Sequence, residues 1–275
     1  MRVVFIGAGN LATHLSQALQ QAGHDIVQVY SRTMQSAQRL ADILHTEATD
    51  DVGSVKPDAQ LYVISVKDDA IAPLASRLIV QRDDAIVVHT AGSVPMSVLA
   101  GSARHYGVIY PMQSFSRTRA IEWAHVPFYI EGADTFVEDA LCRLTSDVSD
   151  RVRFLSSADR RYLHLAAVFA CNFTNYCYTL AGRVMNSCGL SFDDLLPLID
   201  ETASKVHQLS PFEAQTGPAV RYDRQVIDRQ LMLLDDMPEA KLLYKVASQG
   251  IHRLHEASAT DNEPMNMMNE NNDKL

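Results

Sequence analysis

The chain has 275 residues, 47% of them apolar and 21% charged, with a formal net charge of −9; that length suits two cores, and that composition builds them without disulfides or metals. An acidic balance excludes a general binder of nucleic-acid backbones, which draws its affinity from clustered Lys and Arg. The longest apolar runs, residues 61–66 and 163–170, fall far short of the ~20 residues of a membrane span, so neither nucleic acid nor membrane is an expected partner.

From residue 2 to about 155, short β-branched runs alternate with amphipathic segments, the pattern of βαβ units and a mainly parallel sheet. Strands are predicted at 2–6, 26–30, 61–66, 85–89, 106–110, 126–130 and 152–155. Helices are predicted at 10–22, 33–44 and 69–79, where apolar residues recur at three- and four-residue intervals. Residues 1–156 therefore read as a doubly wound α/β domain of the Rossmann type. The chain opens directly on a strand pattern, Met1-Arg2-Val3-Val4-Phe5-Ile6, without the regions of a signal peptide, so a cytoplasmic location is expected. Cys142, Cys171, Cys177 and Cys188 show no metal-ligand spacing and read as small packing residues kept as thiols.

The character changes after Ser156. Ser156-Ser157-Ala158-Asp159 offers a capping box, and a helical pattern runs on toward Gly189. Further helices are predicted at 192–208, 223–235 and 239–256, with Pro238 suited to a first turn. Residues 157–257 thus form an all-helical domain, while 258–275, rich in Asn, Glu, Asp and Met without periodicity, read as a disordered tail.

Gly7-Ala8-Gly9-Asn10-Leu11-Ala12 has the G-x-G-x-x-A form between the first strand and the first helix. Gly7 allows the tight turn, Gly9 lets the backbone approach a pyrophosphate, and Ala12 is small enough for helix and strand to pack closely. The helix start, with the backbone of Ala8, Asn10 and Leu11, then meets the negative charge; the plain alternative is a glycine turn that only joins strand to helix. The second strand ends Tyr30-Ser31-Arg32-Thr33, lacking the acid that binds a ribose 2′-hydroxyl. Arg32 can meet a 2′-phosphate instead, with Ser31 and Thr33 adding hydroxyls, so NADP is the expected cofactor; otherwise Arg32 is a solvated side chain. The strands beginning at residues 61 and 85 run into Val66-Lys67 and His89-Thr90-Ala91-Gly92-Ser93. Their ends face the cofactor crevice, which makes Val66, Lys67, Thr90 and Gly92 candidates to touch nicotinamide and its ribose and Ser93 a candidate for the substrate; the alternative for each is an ordinary loop residue.

Taken with these segments, Pro111-Met112-Gln113-Ser114-Phe115-Ser116, His164-Leu165-Ala166-Ala167 with Asn172, and Thr216-Gly217-Pro218-Ala219-Val220-Arg221-Tyr222-Asp223 give the chain a recognisable look. It resembles the superfamily that joins a Rossmann domain to a helical domain like that of 6-phosphogluconate dehydrogenase, to which pyrroline-5-carboxylate reductase is related. Within it, the chain is most similar to a bacterial family of NADP oxidoreductases whose helical domain has no assigned function. The resemblance covers most of residues 1–255 and implies a homodimer built through the helical domains.

Reduction needs a group that donates a proton or stabilises charge as hydride arrives. At 100° per residue His164, Asn172, Asn175 and Thr179 share about a quarter of one helix face. That stripe either faces the crevice, with His164 as proton donor and Asn172 or Asn175 orienting the substrate, or is bonded inside the helical core or a dimer interface. Arg221 can bind a substrate carboxylate through two parallel bonds or pair with an acid, and Asp223 can cap the next helix. In related hydroxyacid dehydrogenases a lysine stands four residues before the helix asparagine; if Asn172 matches the latter, Val168 occupies the lysine position. Ser114 resembles their substrate-binding serine. The reading is an NADP-dependent oxidoreductase acting on a small carbonyl, imine or hydroxyl substrate, with a non-catalytic NADP-binding sensor or scaffold as the alternative.

Overall fold

Every residue from Val3 to Ile6 is fully buried, as a parallel strand covered by helices on both faces requires. The structure, a computed structural model that describes residues 1–261, sets this strand near the middle of an eight-stranded sheet. In chain order the elements of the first part are β1 (Arg2–Ile6), α1 (Asn10–Gln21), β2 (Asp25–Tyr30), α2 (Met34–Leu44), β3 (Glu47–Thr49), β4 (Leu61–Ile64), α3 (Asp68–Ala75), β5 (Ile86–His89), β6 (His105–Pro111), β7 (Phe128–Gly132), α4 (Thr135–Ser146) and β8 (Val152–Phe154). The strands lie in the order β3-β2-β1-β4-β5-β6-β7-β8. All pairs are parallel except β6 with β7. The order reverses between β1 and β4, the place where such sheets bind ligands beyond the carboxyl ends of their strands.

Strand alternation divides the core between two faces. Val3 and Phe5 pack with Leu15 and Leu19 of α1, Leu40 of α2 and Leu141 of α4. Val4 and Ile6 face the other way, toward Tyr62, Ile64, Ile71 and Leu99. β3 and α4 were not predicted. α4 has a local signature all the same: Asp134 caps it by accepting the Val137 N–H at 2.9 Å, and Val137, Leu141 and Leu144 line its buried face. β7 begins at Phe128 rather than 126 because Pro127 has no N–H for a ladder, whereas the Phe128 N–H reaches the Arg151 carbonyl at 2.7 Å.

The predicted cap after β8 forms, with the Ser156 hydroxyl accepting the Asp159 N–H and donating to its carboxylate. It opens α5 (Ser157–Ala167), which passes into an unpredicted π-helical turn at Val168–Phe173. The chain divides into two compact units at Thr174 and Asn175, so α5 belongs with the sheet, beyond the boundary at 156 read from the sequence. The reason is Arg160, whose buried guanidinium binds Glu131 of β7 and the Val94 carbonyl.

The second unit holds α6 (Thr174–Ser187) from its second residue onward, α7 (Leu196–Lys205), α8 (Arg224–Met232) and α9 (Pro238–Asp261). Its small core gathers Leu180, Leu234 and Ala240 with Met237, Leu243 and Tyr244. α9 runs through Asp261, so residues 258–261 of the expected tail continue a helix, and 262–275 lie outside the described residues. Cys171, Cys177 and Cys188 are exposed, contrary to their reading as packing residues, while Cys142 packs against the core. Among the described residues no helix is long and apolar enough to cross a membrane.

Candidate functional site

The glycine turn after β1 lies at the reversal of strand order. Gly7 has φ of +122°, and a Cβ there would stand 2.0 Å from the Ser65 carbonyl oxygen at the end of β4. Its N–H donates to the Tyr30 carbonyl at 2.8 Å, tying the turn to β2. Gly9 differs: its φ is an ordinary −76°, and, chain neighbours apart, no described atom lies within 4 Å of where its Cβ would stand. The backbone is therefore bare on the side from which an anion would come. Gly9 caps α1 without a side-chain bond, and the first turn carries no acid, so the opening N–H groups of α1 keep their positive ends for a ligand. These features fit a pyrophosphate.

The side chain of Asn10 has a separate role. Its amide donates to the Phe115 carbonyl at 3.0 Å, and His14 Nε2 lies 2.7 Å from the Ser116 carbonyl. The segment after β6 is thereby laid across α1, carrying the exposed Ser114 with it. Ala8 and Leu11 pack against the core. At the end of β2, Ser31 donates its N–H to the Thr49 carbonyl, and the Thr33 hydroxyl donates to that of Ser36. Arg32 between them is exposed and has no hydrogen bond or ion pair among the described residues. A guanidinium so placed beside the crevice suits a 2′-phosphate and leaves the NAD-type acid without a counterpart.

Beyond β4 and β5, Val66 packs under the crevice, Lys67 is exposed before α3, and the Ser93 hydroxyl donates to the Asp68 carboxylate, joining the two loops. The turn that presents Thr90, Gly92 and Ser93 is built on His89, which is fully buried. His89 Nδ1 accepts the Ala91 N–H at 3.1 Å, while Nε2 has no partner among the described residues. The nearby Pro95 carbonyl favours the protonated ring, but too weakly to offset burial. Burial above all, and then the charge of Arg160, pull the His89 pKa down from 6.5 to about 4. A lowered folded-state value means that the unfolded chain binds the extra proton first, so stability is full above pH 6.5 and falls as the pH drops toward 4. Denaturant titrations across that window are expected to lose about 3 kcal/mol through this residue. His89→Asn, with an amide oxygen in place of Nδ1, should flatten the slope; an unchanged slope would exclude His89 as its source.

Gly92 meets α5. A Cβ on it would stand 2.6 Å from His164 Nδ1 and 2.9 Å from His164 Cβ, so the imidazole rests directly on the loop after β5. The same Nδ1 is 3.0 Å from the Tyr110 hydroxyl at the end of β6. Arg160, one turn earlier on α5, fixes the helix through Glu131 and Val94, and the Ser157 hydroxyl and N–H both donate to Glu131.

Of the residues singled out by sequence, Gly92 and His164 are brought together. Asn172 lies exposed in the π turn, whose i→i+5 bonds insert a residue and end the uniform 100° step that had aligned it with His164. No described hydrogen bond joins Ser114 or Asn172 to His164. Asn175 and Arg221 belong to the second unit, where both are exposed, and Asp223 caps α8 through the Val226 N–H as expected. Sequence reasoning missed His89, Tyr110, Glu131 and Arg160. His89, Tyr110 and Arg160 stood inside predicted strands and a predicted helix, but none of them was singled out.

A mainly parallel sheet whose order reverses at a glycine-lined crevice, with an anion-receptive helix start beside it, defines a dinucleotide-binding α/β protein. Residues 2–92 match the family described as NADP oxidoreductase, coenzyme F420-dependent, and residues 126–251 match a domain of unknown function, DUF2520. A crystal structure from Bacteroides fragilis, of a protein provisionally named an NADP oxidoreductase, is 49% identical, with 92% of this chain and 98% of that one covered and a TM-score of 0.88. The chain belongs to this family, in which an NADP-oxidoreductase domain is followed by that C-terminal domain. A protein of Thermotoga maritima is 23% identical over 94% of this chain and 99% of its own, with a TM-score of 0.68. An imine reductase from Myxococcus stipitatus, solved with NADP+, is 16% identical over 95% of each chain with a TM-score of 0.64; these two likenesses concern the fold. No curated protein matches the chain.

Proposed function

We propose that this oxidoreductase exchanges hydride with a small carbonyl, imine or hydroxyl substrate, and that the reaction centre lies where the loop after β5 meets His164. The observation that carries the reading is the His164 ring, which rests on Gly92 with Nε2 unpartnered among the described residues. Bound NADP supplies the hydride chemistry. The chain's part is to hold the cofactor and to face the substrate heteroatom with a group that donates a proton or stabilises charge.

Gly7, Ala8, Gly9, Asn10 and Leu11 would hold the pyrophosphate through the backbone, Arg32 with Ser31 and Thr33 the 2′-phosphate, and Val66, Lys67, Thr90 and Gly92 the nicotinamide half. Residues 1–156 bind the cofactor in this reading, and the helical residues after them serve substrate and dimer. His164 is the candidate for the reacting heteroatom, with Ser93, Ser114 and Asn172 as candidates for the rest of the substrate. The second unit exposes large apolar side chains, among them Leu198, Leu233, Leu242 and Leu254, more than a lone helical unit normally leaves in water. Burial of these between two copies supports a homodimer, which a monomeric mass in light scattering would refute. Exposed free thiols suit a reducing cytoplasm.

The family and the shared imine-reductase fold set the compounds to test: imines, keto acids and hydroxy acids, followed by nicotinamide absorbance. At least one should turn over with the wild type and fail with His164→Gln. Cofactor bound by calorimetry but consumed with none of them would favour a non-catalytic NADP sensor. Arg32→Ala is expected to weaken NADPH binding about 10- to 100-fold, the worth of a charged hydrogen-bonded pair, and to leave NADH binding unchanged. Equal losses for both would remove the 2′-phosphate assignment.

A further inference from the structure

The Tyr110 hydroxyl stands behind the imidazole of His164, on the side away from its open nitrogen. We propose that Tyr110 is a positioning residue that holds His164 in the tautomer with its proton on Nε2, so that the ring meets a substrate as an N–H donor to a C=O or C=N heteroatom. This rests on the reading that His164 serves the reaction centre.

Tyr110 is the last residue but one of β6 and is 9% exposed. A buried phenol must give its proton to an acceptor, and among the described residues the hydroxyl has one hydrogen-bond partner, His164 Nδ1 at 3.0 Å. Burial also pushes the Tyr110 pKa up, so the phenol keeps the proton it donates. A neutral imidazole whose Nδ1 accepts a hydrogen bond carries its hydrogen on Nε2. The opposite tautomer would direct Nδ1–H at the phenol oxygen and strand the phenol proton without an acceptor.

The surroundings keep the ring from turning. It meets Tyr110 edge-on, with centroids 6.0 Å apart and planes at 77°. Gly92 leaves no room on the Nδ1 side for more than a hydrogen, and Arg160 anchors the preceding turn of α5. The arrangement also bears on substrate class. A ring with Nε2–H receives the lone pair of a carbonyl or imine, whereas abstraction of a proton from a hydroxyl needs Nε2 bare. The locked tautomer therefore favours compounds presented in their C=O or C=N form.

Long-range 1H–15N correlation on the full chain labelled with 15N-histidine, at a pH where the ring is neutral, reads which nitrogen bears hydrogen; His164→Gln assigns the signals. The expected result is a protonated Nε2, a bare Nδ1 shifted by an accepted hydrogen bond, and a phenol proton protected from exchange. In Tyr110→Phe the Nδ1 shift and the protected proton should be lost, with NADPH affinity retained and, for any compound that turns over, kcat lowered at constant KM. Hydrogen on Nδ1 in the wild type would overturn the proposal without recourse to a variant, as would an Nδ1 resonance unmoved in a folded Tyr110→Phe. Full turnover by His164→Gln would instead overturn the role of His164, a separate outcome from either.

Discussion

Gly7→Ala is expected to destabilise the protein by about 3 kcal/mol or more, whereas Gly9→Ala should cost at most about 1 kcal/mol and weaken NADPH binding about 10-fold or more. The two glycines stand two residues apart in one motif, yet different neighbours dictate them. Gly7 has φ of +122° and faces the Ser65 backbone, with 2.0 Å available to a methyl group. Backbone cannot swing aside as a side chain does, and Ser65, which follows β4 and is tied to β1 through its N–H to the Ile6 carbonyl, would have to shift. Gly9 has ordinary torsions and open space, so a methyl group there meets only what the crevice is meant to hold. Chemical melts and calorimetry with NADPH on both variants separate the effects. A Gly9→Ala protein that binds NADPH as tightly as the wild type would remove the pyrophosphate from this turn.

That separation also shows what a sequence can carry. The G-x-G-x-x-A spacing marks the turn because strand, glycines and helix are contiguous, and the long periodic elements β1, β2, α1 and α2 are legible for the same reason. β3 is three residues long and pairs only with β2, too short for an alternation to register. α4 carried a cap and an apolar face that were there to be read. Tyr110 and His164 are 54 positions apart, and Glu131 and Arg160 29 apart. Their meeting depends on the antiparallel return of β7 along β6 and on the docking of α5, which leave no local trace. The π turn is likewise unmarked, and it breaks the even angular step on which the polar stripe through Asn172 relied.

Docking of α5 rests on a charge pair whose two ends are unequally buried, and the inequality yields an ordered prediction. Arg160 is 1% exposed and its Nε has no partner among the described residues, while the Glu131 side chain is 18% exposed and also accepts from the Ser157 N–H and hydroxyl. Breaking a buried pair typically costs about 3–5 kcal/mol, because a charge is left uncompensated. After Arg160→Met the remaining carboxylate keeps two donors and some water, and can take up a proton. After Glu131→Gln the remaining guanidinium keeps the Val94 carbonyl, but it cannot shed its charge. Glu131→Gln should therefore be the more damaging single change, near the upper end of that range, with Arg160→Met nearer the lower. The double variant, which buries no charge and leaves the introduced amide oxygen to accept from Ser157, should be more stable than Glu131→Gln alone. Urea melts of the four proteins measure the coupling. If the double variant loses the sum of the two single losses, the guanidinium and carboxylate act independently, and the anchoring of α5, with the seat of His164, must be sought in its apolar contacts instead.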